Sequence, residues 1–262
     1  MYIDSHCHFD FPPFEQDPDN WLKTVKSAGI AKLIVPSVAV SNWERIEKLA
    51  QQSNDVLYAL GLHPVWQDEH QEQDLLLLEQ RLRACPSQCV AVGECGLDFA
   101  LPDARREWQL TLLERQLALA TELDLPVILH CRKAHNELLQ MLNRFPSVRG
   151  VIHAFSGSYE LGMNYVRRGL YLGIGGTITY PRANKTRQAV AKLPLESMLL
   201  ETDSPDMPIY GHQGKPNSPE KLIDIACVLA ELKSTTVDNI AHKSFHNVQI
   251  LFSLNALTSS HT

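Results

Sequence analysis

Short apolar runs alternate with longer stretches of helical period along almost the whole chain. Residues 1–8 (MYIDSHCH) open with the pattern of a buried strand, and its period of two sets His6 and His8 on the same side. Residues 10–19 form an acidic, proline-rich loop in which Asp17 and Pro18 read as an N-cap and a first helical position. Trp21, Leu22, Val25 and Ala28 then keep helical spacing up to Gly29. Seven further strands are predicted at 32–38 (KLIVPSV), 56–62 (VLYALGL), 89–93 (CVAVG), 126–129 (PVIL), 148–152 (VRGVI), 170–174 (LYLGI) and 197–200 (SMLL). Helical spacing covers 43–52, with Ser41 and Glu44 read as a capping box, then 69–84, 104–122 and 134–144. It returns in the stretch that Gly169 stops, and again at 219–232 and 236–254.

Eight strand–helix units predict an α/β protein of the (β/α)8 TIM-barrel class, with any metal site at the C-terminal ends of the strands. No linker divides the 262 residues, so one domain is expected over 1–258, with a loose tail at 259–262.

The polar residues fall at the strand ends. His6 and His8 end the first strand, Glu94 the fourth, His130 the fifth, His153 the sixth and Asp203 the eighth. A lone His-x-His pair is incidental more often than not, since imidazole serves many roles. In a parallel barrel, however, these ends share one face, where residues far apart in sequence converge. Four imidazoles and two carboxylates exceed what one tetrahedral ion uses while keeping an open position. Two ions bridged by Glu94, about 3.5 to 4 Å apart, account for the set with fewer assumptions.

Composition changes this picture little. The chain is 44% hydrophobic and 21% charged, and its net charge of -6 argues against a broadly basic protein that coats nucleic acid. No apolar run is long enough to span a membrane, and the sequence begins on the His-x-His strand without a charged leader, so a cytoplasmic location and no membrane partner are expected. The six cysteines include no Cys-x-x-Cys pair and are read as reduced; Cys7, Cys95 and Cys131 each follow a candidate ligand, so alternation turns them toward the buried side. No obligate protein partner is evident.

The runs HCH, GLHP, GECGLDF, LHCRKAH, HAFSG and ETDSP, in this order, resemble the TatD family of metal-dependent hydrolases, a branch related to the amidohydrolase superfamily. The similarity spans nearly the whole chain, through GKPNSP to the closing helix with Asn247 and Leu251-Phe252. It departs from the family at Cys95, at Ala100, and in an arginine-poor loop, GHQGKPNSP. The resemblance implies that His6, His8, Glu94 and Asp203 hold one ion, and that Glu94, His130 and His153 hold the second. It further implies that Asp203 orients and deprotonates the attacking water, a metal-bridged hydroxide being the nucleophile. His63 would stand beside the metals as a substrate-contacting or proton-relaying group, or else as a structural histidine at a strand end.

The resemblance also implies deoxyribonuclease activity of 3'-5' exonuclease type. Charge independently favours a phosphodiester such as single-stranded DNA, because two divalent ions, two carboxylates and a hydroxide leave about +1 in the pocket. Arg132, Arg182, Lys185 and Lys215 lie on the loops after the fifth, seventh and eighth strands and are candidate phosphate contacts, with His63. Phe155, Tyr180 and Tyr210 are candidates for base stacking. Four imidazoles favour zinc, manganese, cobalt or iron over magnesium, whose abundance can still decide occupancy in the cell. Two alternatives remain: a two-metal hydrolase of a carbonyl substrate such as a cyclic amide, lactone or aminoacyl ester, and a metal-binding scaffold without catalysis.

Overall fold

The computed structural model describes residues 1–84 and 86–254, so Cys85, the expected domain end at 258 and the expected tail lie outside the described residues. In chain order the elements are β1 (Tyr2–Asp4), α1 (Pro18–Ser27), β2 (Ile30–Pro36), α2 (Val40–Gln52), β3 (Val56–Leu60), α3 (Glu72–Ala84), β4 (Cys89–Asp98) and α4 (Arg106–Glu122). They continue with β5 (Val127–Arg132), α5 (His135–Arg144), β6 (Gly150–Ile152), α6 (Tyr159–Val166), β7 (Leu170–Ile174), α7 (Asn184–Lys192), β8 (Met198–Leu200), α8 (Leu222–Leu232) and α9 (Val237–Leu251). The eight parallel strands follow one another in sequence order in a single sheet, each with a helix behind it, which is the (β/α)8 class expected from the pattern. Among the described residues no helix is long and apolar enough to cross a membrane.

The chain groups into two compact units. The first comprises Met1–Val35 and the chain from Ala154 onward. In it β1 pairs with β2 through Ile3↔Lys32 and Asp4↔Leu33, and β7 with β8 through Leu172↔Met198, Gly173↔Leu199 and Ile174↔Leu200. Ile3, Leu33, Ile34, Leu172, Leu199 and Leu200 are buried in its core. Helix α1 begins as expected, with Asp17 Oδ1 accepting the Asn20 amide at 3.2 Å and Pro18 in the first helical position. The loop before it is pinned by Phe9 stacked on Phe14, which meets Trp21 edge-on. Helix α7, which the hydrophobic pattern did not single out, buries only Thr186, Ala189 and Val190. One narrow stripe in nine mostly polar residues gives too weak a period to read.

The second unit is Pro36–His153. Strands β3 and β4 are buried along their entire length, as parallel strands covered on both faces must be. The expected ends of β4 and β5 fall short of the observed ones. After an irregularity the β4–β5 ladder resumes at Cys95↔Leu129 and runs through Gly96↔His130 and Leu97↔Cys131 to Asp98↔Arg132. Hydrophobicity stops at Glu94 and His130 whereas the backbone hydrogen bonding does not, so both residues sit inside strands and not beyond them. Conversely β1 stops at Asp4, and His6 and His8 lie in the irregular segment after it.

Helix α2 also corrects the sequence reading. It starts at Val40, three residues before the expected start at Trp43, so Ser41 and Glu44 lie inside the helix. Asn42 Oδ1 instead accepts the amides of Val38 (3.1 Å) and Ala39 (3.2 Å), while Ser41 Oγ donates to Glu69 Oε2 at 3.4 Å. A side chain reaching back to the entering backbone did the work that the sequence motif assigned to Ser41.

Candidate metal centre

In the first unit, His6, His8 and Asp203 present three donor atoms to one another. His6 Nε2 and His8 Nε2 are 3.4 Å apart, and Asp203 Oδ1 lies 3.3 Å from the first and 3.6 Å from the second. Main-chain bonds set this triangle: the Asp203 amide donates to the His6 carbonyl at 2.9 Å, and the His8 amide donates to the Ser204 carbonyl at 2.7 Å. Asp203 has φ +57°, a left-handed conformation that Asp tolerates better than most residues and that marks a site where the fold imposes geometry.

Beneath the triangle Asp4 is fully buried. Its Oδ1 accepts the His6 amide (3.2 Å) and the Thr202 amide (3.0 Å), and Thr202 Oγ1 donates to Oδ2 at 2.6 Å. Burial pushes its pKa up to about 8 against these hydrogen bonds, which favour the charged form. Asp4 thus joins the segment after β1 to the segment after β8. Glu201, also buried, accepts the Ala154 amide and fills the space beside Gly173, where a Cβ would lie 2.1 Å from Glu201 Oε2.

In the second unit Glu94 is the hub. Its Oε1 lies 3.0 Å from His63 Nε2, 3.2 Å from His130 Nδ1 and 3.1 Å from His153 Nε2, and its side chain is 1% exposed. The His63 tautomer follows from its other nitrogen: Nδ1 accepts the Val65 amide at 3.1 Å, so the proton is on Nε2 and is donated to Glu94. The His63 main chain is fixed as well, donating to the Val38 carbonyl (2.9 Å) and accepting from His70 Nε2 (2.8 Å).

His130 is held from behind. Its Nε2–H donates to Asp98 Oδ2 at 3.0 Å, leaving Nδ1 toward Glu94. Burial alone would lower the His130 pKa, but the hydrogen bonds to Asp98 and Glu94 outweigh it and raise the value. Burial likewise opposes ionisation of Asp98, and the bonds from His130 and the Ala100 amide, with the nearby Arg132 charge, carry it below the ordinary carboxylate range. Asp98 is in turn framed by Gln109, whose Oε1 accepts the Asp98 amide at 2.8 Å. Close strand approach is what permits the arrangement: at Gly96, φ +147°, a Cβ would meet the His130 carbonyl oxygen at 2.0 Å.

Sequence reasoning missed Asp98, Asp4 and Glu201. Asp98 shares a strand face with Glu94 by alternation, a signal present in GECGLD but unread. Asp4 and Glu201 support through backbone contacts, which residue spacing does not reveal. The candidate substrate contacts fall on separate elements. Arg132 stands beside Asp98 at the end of β5. Arg182 borders a cavity with Tyr180, Lys185 opens α7 with its charge acting on Glu160, and Lys215 is exposed in the loop after β8. Phe155 is buried and therefore unavailable for stacking, whereas Tyr210 is exposed. Cys7 and Cys95 are buried, with pKa values raised by burial, as inert thiols should be.

The donor chemistry fits divalent cations. Two imidazole nitrogens facing each other, with a carboxylate oxygen completing the triangle, need a proton or a cation among them. Tetrahedral ligands about 2.1 Å from a zinc ion stand about 3.4 Å apart, and the His6–His8–Asp203 edges are 3.3 to 3.6 Å. His130, its Nε2–H engaged by Asp98, likewise offers Nδ1 toward a carboxylate oxygen. A carboxylate behind a metal-binding histidine fixes its tautomer and raises its basicity.

Comparison with known proteins agrees with this chemistry. The model of the TatD related DNase family matches residues 3–253. The chain is 47% identical over 254 residues to the uncharacterized metal-dependent hydrolase YjjV of Escherichia coli K12, covering 97% of this chain and 98% of that one. It is 31% identical over 261 residues to human deoxyribonuclease TATDN3, covering 95% and 94%. The crystal structure of YjjV, a TatD homologue, superposes with a TM-score of 0.93 at 46% identity, over 96% of this chain and 98% of that one. The chain belongs to the TatD related DNase family and is a metal-dependent hydrolase.

Proposed function

We propose that the chain is a two-metal phosphodiesterase that removes nucleotides from the 3' end of single-stranded DNA. In this reading His6, His8, Glu94 and Asp203 would hold one divalent cation, and Glu94, His130 and His153 would hold the second. The cations, zinc, manganese or magnesium, supply Lewis-acid polarisation of the phosphoryl group and acidify water.

The protein's own groups do the rest. Asp203 Oδ would take the proton of the water that adds to phosphorus as the P–O3' bond breaks, a role within ordinary reach of a positioned carboxylate, and the departing O3' would gain a proton from solvent and leave as a hydroxyl. His63 Nε2–H holds Glu94 in one orientation, and Asp98 does the same for the ring of His130. The acidic net charge of the chain requires local attraction for a polyanion, which Arg132, Arg182, Lys185 and Lys215 supply.

The observation that carries this reading is Glu94, a buried carboxylate with three imidazole nitrogens 3.0 to 3.2 Å from one oxygen. The DNA substrate is supported by the family description and by the human relative's name. The test is hydrolysis of an end-labelled single-stranded oligonucleotide by metal-stripped protein restored with magnesium, manganese or zinc, beside Glu94→Ala. Stepwise loss from the 3' end, dependent on metal and absent in the variant, is expected. Failure with every metal, together with turnover of a neutral ester, would transfer the same centre to carbonyl chemistry.

A further inference from the structure

The segments that follow β7 and β8 border an open cavity of about 490 Å3 lined by Thr177, Tyr180, Arg182, Ala183, Met207 and Pro208. Pockets for small ligands run from about 300 to 1,000 Å3. The walls are apolar apart from the Thr177 hydroxyl, the Tyr180 phenol and Arg182. Two hydrogen bonds lock the segments together: Tyr180 OH donates to the Pro208 carbonyl at 2.6 Å, and the Tyr210 amide donates to Thr179 Oγ1 at 2.8 Å. The Tyr180 ring, which lines the cavity, meets edge to face at 5.8 Å and 74° the ring of Tyr210, which stands outside the lining and is 57% exposed. The Arg182 guanidinium lies 5.4 Å from the Tyr180 ring centroid and pairs with no carboxylate among the described residues.

We propose that this cavity and the exposed ring next to it form a base-and-phosphate subsite: one base of a single-stranded substrate stacks on Tyr210, and the adjoining phosphate enters the cavity and rests on Arg182. The inference builds on the nuclease reading above. The combination selects the ligand class. A cation and apolar walls in a cavity with no carboxylate in its lining, next to an exposed tyrosine ring that meets the cavity's Tyr180, match a planar base joined to an anion. Inorganic phosphate would leave the apolar floor unused, and an apolar chain would leave Arg182 buried against it without a partner. Position agrees, since Met207 follows Asp203 by four residues, a span of at most roughly 14 Å. A strand cut at Asp203 therefore reaches the cavity with a nucleotide near the scissile bond.

The test compares the metal-loaded wild type with Tyr210→Ala, Tyr210→Phe and Arg182→Ala on single-stranded oligonucleotides, intact or with one abasic site at each of the three 3'-terminal positions. Alanine in place of one stacking aromatic weakens single-strand binding roughly 5- to 160-fold. We expect Tyr210→Ala to raise KM about tenfold on this scale with kcat little changed, and Tyr210→Phe to retain the wild-type KM. One abasic position should reproduce the loss in the wild type, and on that substrate Tyr210→Ala should cost nothing more. Arg182→Ala should reduce the salt slope of binding by about 1. Cleavage of the intact oligonucleotide by Tyr210→Ala and Arg182→Ala with unchanged KM and salt slope would overturn the subsite and leave the nuclease reading standing. Absence of oligonucleotide cleavage by the wild type would remove that reading and the subsite together.

Discussion

Each donor cluster has its own buried carboxylate behind it, but the two carboxylates work differently. In the second unit Asp98 bonds the ring of His130 directly, on strands whose ladder runs through the cluster. In the first unit Asp4 bonds main-chain amides and the Thr202 hydroxyl, and holds the segments that carry His6 and Asp203 in place. One carboxylate tunes a donor, and the other fixes a backbone. The same residue type behind a site can therefore serve affinity or stability, depending on whether it meets a ligand's ring or its main chain.

Substitutions should separate these roles. The largest effect belongs to Glu94→Ala, which leaves three imidazoles facing a void and removes the donor proposed to serve both ions. Hydrolysis should fall on the order of 10³-fold or more, since metal polarisation supplies several kcal/mol. Next comes Asp203→Asn, which keeps the shape of the first cluster but takes no proton; kcat should drop about 10²- to 10⁴-fold, measured at saturating substrate and metal.

Asp98→Asn bears on the comparison itself. Loss of a carboxylate behind a ligating histidine weakens metal binding about 10- to 100-fold, which competition with a chelating dye will read. It also carries a pH signature. An ion needs the His130 donor nitrogen unprotonated, and the His130 pKa is raised in the folded protein, so affinity should fall as pH drops through that raised value. Without the Asp98 charge the His130 pKa falls, and the loss of affinity should move to lower pH.

Asp4→Asn should act on stability instead. Asp4 titrates near 8 when folded, against an ordinary 3.8, so the folded state binds a proton that the unfolded chain has released between those values. Its contribution is present below about 4 and is lost as pH rises toward 8. The neutral amide should flatten that slope in thermal melts of the metal-free protein. A steep unchanged slope in Asp4→Asn, or a pure stability loss in Asp98→Asn, would dissolve the distinction between the two carboxylates.

The sequence made the alternation of strands and helices legible because buried parallel strands are written as compact apolar runs, such as VLYAL at β3. It also made every member of the two clusters visible, since His and acidic residues stand out where an apolar run stops. Strand length was not legible at β4 and β5, where polar donors interrupt the hydrophobic pattern while the ladder continues. Nor was the start of α2, where Asn42 caps from inside the helix. The supporting residues were hidden for a related reason: Asp4 and Glu201 act through amides brought near by folding, and nothing in their local spacing marks them.

The count of ions tests the central claim most directly. Metal-stripped protein is equilibrated with zinc or manganese, freed of excess and analysed for bound metal per chain, for the wild type, His8→Ala and His153→Ala. The account predicts two ions in the wild type, one in each variant, and hydrolysis lost in both. A single ion per wild-type chain at saturation, with full hydrolytic activity, would contradict it.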